Sequence, residues 1–162
     1  MEPGTDEKQR LIRYRREVLV LVGVSLARYQ KIEHILKILT AQIELPGDQP
    51  SRAATLDMEA PLNAKNTLGM LAEEFRKSVQ TNQPQELEDY LKTSVSHRND
   101  LIHHFFQQPI GKLTDEEACG QAVEHLRLRY EYANGLLQAL KGLGNHVVQA
   151  WEEAIPNMEA DS

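Results

Sequence analysis

Residues 97–106 read His-Arg-Asn-Asp-Leu-Ile-His-His-Phe-Phe. This stretch combines a fixed positive charge with side chains that exchange protons near neutral pH. An imidazole at His103 or His104 can accept a proton and return it without leaving the physiological range. The Arg98 guanidinium keeps its charge under all ordinary conditions and stabilises an anion held against it. The flanking pattern predicts a helix here and puts Arg98 in the middle of its apolar side, where an uncompensated charge costs free energy.

At about 100° per residue, Leu91, Val95, Leu101, Ile102 and Phe105 fall within roughly 60° of Arg98. His103 falls roughly 140° away, with Asn99 on its side at an i,i+4 spacing. Asp100 and His104 form a second such pair, in which the carboxylate favours the imidazolium. Arg98 and His103 therefore do not converge from one straight helix. A curled arginine, a helix distorted near Asn99, or a second copy of the chain would each resolve the conflict.

The elements that must carry this stretch are helical. Leu11, Val18, Val22, Tyr29, Ile32, Leu36, Leu39 and Ile43 recur at helical steps, predicting a first helix from about Asp6 to about Leu45. Val18 to Val24 has strand-like composition, but the helical period runs past it on both sides. Gly23 is a point where this helix could bend. Pro46, Gly47, Pro50, Ser51 and Pro61 mark residues 46–62 as a long loop, mobile or functional. A second helix is expected over about Ala64 to Val79. A third opens at Pro84, carries Leu87, Leu91, Val95, Leu101, Ile102 and Phe105 on one face, and ends before Pro109. Thr114-Asp-Glu-Glu117 reads as a capping box starting a fourth, with Val123, Leu126, Tyr130, Ala133, Leu137 and Leu140 on its face. Gly142 and Gly144 are expected to interrupt it before a shorter helix with Val147, Val148 and Trp151. Residues 1–5 and 156–162 read as disordered ends. The expected fold class is all-α: one domain over residues 1–162, an antiparallel bundle of four to five helices.

Composition narrows the function. The 162 residues carry a net charge of −6, but residues 1–45 hold 8 Lys+Arg against 6 Asp+Glu (+2) and residues 46–162 hold 10 against 18 (−8). This balance argues against a general nucleic-acid coat, because phosphate binding needs clustered cations. The local cluster Arg10, Arg13, Arg15 and Arg16 is either a solvated face or a nucleic-acid contact. The single cysteine, Cys119, forms no internal disulfide and lies on an apolar row as a small core residue. The run Val18–Val24 is far too short to span a bilayer, so a cytoplasmic protein without membrane attachment is expected. His34, His97, His125 and His146 show no ligand spacing. No metal, cofactor, phosphate loop or nucleophile elbow is implied.

Arg98-Asn99-Asp100-Leu101-Ile102-His103 resembles the Arg-x4–6-His motif of HEPN domains, in which a polar residue such as Asn follows the arginine and the motif sits on a late helix of a small bundle. The resemblance covers about six residues as motif and most of the chain as helix order. It implies a metal-independent ribonuclease of toxin or defence type, acting as a homodimer with two motifs meeting across a two-fold axis. His103, or His104 within the same spacing range, would then be the acid–base group at the ribose 2′-hydroxyl. Arg98 would stabilise the phosphate in the transition state, Asn99 would orient the site, and the product would be a 2′,3′-cyclic phosphate. The resemblance leaves RNA contact to Arg13, Arg15 and Arg16 and suggests a cognate antitoxin as partner. It departs from the family's nucleotidyltransferase-controlled toxins at Phe105, where those carry a tyrosine that the antitoxin modifies. The alternative is a non-catalytic helical module that binds a protein partner or a nucleotide.

Overall fold

The computed structural model describes residues 5–43, 66–78 and 84–159. Four helices account for most of them: α1 (Thr5–Ile43), α2 (Leu68–Ser78), α3 (Pro84–His103) and α4 (Glu116–Glu159). Two short 3-10 turns, Phe105–Gln107 and Pro109–Gly111, connect α3 to α4. The described residues contain no strand and no helix long and apolar enough to cross a membrane. The chain is a helical bundle, as the periodicity predicts. Residues 46–62 lie outside the described residues.

Several expectations change, among them the disordered end, since residues 156–159 belong to α4 and residues 160–162 lie outside the described ones. No break occurs at Gly142 or Gly144, because α4 continues through both to Glu159. Each glycine costs a helix roughly 1 kcal/mol relative to alanine. The buried row Leu136, Leu137 and Leu140 just before them supplies the offsetting packing. The α4 cap is Asp115 rather than Thr114: Asp115 Oδ1 accepts from the Ala118 amide at 2.8 Å, and Thr114 donates to the same carboxylate. A carboxylate is the stronger partner for the positive helix end. Ile102, expected on the buried stripe of α3, is exposed.

The chain divides into two compact units, residues 1–30 with 93–135 and residues 31–92 with 136–162. In the first, pairs between α1 and α4 rise together: Arg10 with Glu116, Glu17 with Arg127, Arg28 with Tyr130. These stretches run parallel. Pairs from residues 97–105 to α4 run the opposite way: His97 with Tyr132, Asp100 with Arg129, Phe105 with His125. The result is an up-down-up arrangement around Val18, Tyr29, Leu101, Phe105, Ala122, Leu126 and Ala133. Cys119 belongs to this core, where burial pushes its thiol up.

The second unit buries Ile32, Leu36, Leu39, Leu68, Leu71, Phe75, Leu91, Leu136, Leu137 and Leu140. Its ion pairs include Arg76 with Glu73 and Glu88, Lys77 with Glu73, and Lys92 with Glu88.

Candidate functional site

The motif occupies the last two turns of α3 and the residue after it. Arg98 is half-buried, on the row formed by Leu91, Ser94, Leu101 and Phe105, all buried. Its guanidinium Nη1 donates to Asn99 Oδ1 at 3.1 Å. Asn99, His103 and His104 are exposed. The His103 and His104 rings lie 6.0 Å apart at 58°. Next to them in sequence, Ile102 and Phe106 are large apolar side chains open to water, at 43% and 50% exposure. The segment therefore combines polar groups able to do chemistry with exposed apolar neighbours.

His104 is where the helix stops. Its amide still donates to the Asp100 carbonyl, while its own carbonyl accepts from the Gln107 and Gln108 amides. Phe105 is fully buried. It closes the core beneath the motif and stacks against His125 with ring centroids 6.5 Å apart. Gly111 returns directly over it. A Cβ at 111 would lie 1.9 Å from the Phe105 carbonyl oxygen, so this close approach requires glycine. Leu113 then takes φ of 52°, a left-handed conformation costly for a branched side chain, and Arg15 Nε donates to its carbonyl at 3.0 Å.

That bond splits the expected cationic cluster of α1. Arg15 ties down the loop, Arg10 faces Asp6 and Glu116, and Arg13 and Arg16 are exposed.

Sequence reasoning missed the polar system on the opposite side of α3. It expected Asp100 to pair with His104 or to sit on the wet face. Instead Asp100 turns inward, accepting from Arg129 of α4 and, at 2.5 Å, from Gln108 Nε2. The Asp100 and Arg129 side chains keep only 19% and 18% of their surface exposed. Burial raises the Asp100 carboxyl, but the Arg129 and Gln108 hydrogen bonds and the nearby charges outweigh it and hold the group below its ordinary value. His104 contributes one of those charges, a residue of the expected pairing.

Flanking this pair, His97 meets Tyr132 edge-on at 5.3 Å. Burial lowers both His97 and His125, and the Arg129 charge pushes both the same way, so both imidazoles favour the neutral form. Tyr29 of α1 is pushed up to about 12, chiefly by burial, with Arg129 opposing. Tyr29 Oη, His97 Nδ1 and His125 Nε2 are buried with no hydrogen-bond partner among the described residues. A signal for this system existed. Arg129 falls on the buried row Ala122, Leu126 and Ala133, the same misplacement that singles out Arg98.

Among the described residues, no group of three or more His, Cys, Asp or Glu side chains could hold a metal ion. No family model, curated protein or solved structure matches this chain.

Proposed function

We propose that the chain is a HEPN-like, metal-independent endoribonuclease of toxin or defence type that works as a homodimer. The observation supporting this most is the exposure of Asn99, His103 and His104 together beside Ile102 and Phe106. Exposed apolar side chains next to acid–base groups suit a site completed by a second copy. In the reaction, an imidazole takes the proton of the ribose 2′-hydroxyl and that oxygen attacks the adjacent phosphorus. The 5′-oxygen then leaves with a proton, giving a 2′,3′-cyclic phosphate and a 5′-hydroxyl. Arg98 offsets the charge on the equatorial oxygens. Arg13 and Arg16, exposed on α1, are the cations open to RNA. Because Phe105 is buried and lacks a hydroxyl, a cognate antitoxin would act by binding rather than by modifying that position.

His103→Ala is expected to abolish RNA cleavage while leaving helix content and assembly unchanged. Undiminished cleavage removes His103 from the role, and His104→Ala then decides between the neighbours. Sedimentation at micromolar concentration is expected to give a dimer, and a monomer would contradict the assembly.

One observation favours a non-catalytic binding module instead. The Arg98 guanidinium is hydrogen-bonded to Asn99, and Arg10 and Arg15 are engaged within the fold. That reading expects no cleavage by the purified protein and loss of stability in Arg98→Ala.

A further inference from the structure

Three rungs join the motif segment to α4: His97 on Tyr132, Asp100 on Arg129, and Phe105 on His125. They fix which side of α3 faces inward. With 97, 100 and 101 turned to the interior, 99, 102 and 103 must point to water. The middle rung differs in kind from the outer two. Aromatic contacts tolerate a small rotation of the helix. A charge pair in which both partners are mostly removed from water does not, because a rotation that parts them leaves two poorly solvated ions. Gln108 adds a second constraint, since its carboxamide reaches back from beyond the end of α3 to the same carboxylate. One oxygen of Asp100 thus ties the motif helix to α4, and the other ties it to the return loop.

We infer that Arg129, acting through Asp100 and Gln108, is a positioning residue that sets the rotation of the motif helix and the direction in which His103 and His104 leave it. The inference rests on the proposed ribonuclease reading for its catalytic consequence, but its geometric content stands on these contacts alone. Arg129 touches no reacting group. It acts from another helix, 29 residues away in sequence.

The test uses the full chain in four forms: wild type, Arg129→Gln, Asp100→Asn, and the double variant. The double variant replaces the ion pair with a neutral pair that can still hydrogen-bond. Cleavage of a single-stranded RNA is measured as kcat and KM, and the His103 and His104 imidazole resonances are followed by NMR below each variant's unfolding temperature. Each single variant is expected to lose about a hundredfold in kcat, the scale of a misplacement of about 1 Å, with KM little changed. Both sets of imidazole resonances should shift or broaden, and the double variant should recover most of both signals. A fall in unfolding temperature with unchanged kcat and unchanged resonances would reduce Arg129 to a structural role and overturn the inference. If the wild type cleaves no RNA, the ribonuclease reading fails by itself. The resonances then decide: displacement in the single variants with recovery in the double supports positioning, and no displacement overturns it.

Discussion

Both units have apolar cores, and they differ in how much charge and polarity they keep beside them. The unit of residues 31–92 and 136–162 is filled with leucine, isoleucine and Phe75, with the Thr40 hydroxyl buried among them, and its ion pairs include solvent-facing contacts such as Lys92 with Glu88. The unit of residues 1–30 and 93–135 buries Ser25 and Ser94 and keeps the Asp100–Arg129 pair, His97, His125 and Tyr29 in its interior. Apolar burial is the less costly route to stability, and polar groups left inside a fold concentrate where a site must be held in place. The motif stands on the unit that departs from the simple solution.

Phe75→Ala should be the most damaging change. It removes a fully buried ring and should cost about 3–5 kcal/mol, read as a lower urea midpoint. A cost below about 1 kcal/mol would mean that the apolar unit is not close-packed and would erase the contrast.

Gly111→Ala comes next. Its methyl group would meet backbone rather than a movable side chain. A cost near 3 kcal/mol, the upper end for overpacking, is expected in the same experiment. A neutral result would show that the return loop has room to shift.

Arg129→Leu should cost about 2 kcal/mol, because it leaves Asp100 in a poorly hydrated setting. The figure sits below that for fully buried pairs, since each side chain retains about a fifth of its exposure. A variant as stable as the wild type would place this pair with the surface bridges.

A pH series sharpens the contrast further. His97 and His125 sit below the ordinary imidazole value when folded, so as pH falls the unfolded chain takes up protons first. Stability should hold above about pH 6.5 and decline as pH drops below it. His97→Phe with His125→Phe should flatten that slope. A slope unchanged by the double substitution would assign it to other groups. At the other extreme, Lys92→Ala should leave the unfolding midpoint within error, as exposed pairs usually do. A clear loss there would show that the second unit also depends on its charges.

Much of the fold was legible because it is periodic. Val18, Tyr29, Ile32, Leu36 and Leu39 recur at helical steps and are all buried. The same holds for Leu126, Ala133, Leu137 and Leu140 on α4. Local signals that compete at one site were resolved less well. Thr114 and Asp115 are both good caps, and the carboxylate prevails. Gly142 and Gly144 signal a break that the surrounding leucines override. The exposure of His103 follows from the helical wheel, and that of Ile102 does not. Ile102 shares the arc of the buried residues, and only the contacts to α4 show that the helix is rotated to leave it outside. The inward turn of Asp100 had no local sign either, because its partner lies on another helix, and i,i+4 reasoning finds only partners within the same one.

The steric demand at Gly111 has a consequence for recognising relatives. Where a residue's identity is fixed by a backbone atom, drift cannot replace it without moving the chain, whereas Arg98-x4-His103 is a loose pattern that chance supplies often. A fingerprint that joins the two, Arg98-Asn99-Asp100 followed by Phe105, by glycine six residues further on and by an arginine at the place of Arg129, encodes one three-dimensional arrangement. Distant sequences that satisfy all of it should share this motif-bearing unit even where the apolar remainder has diverged past recognition.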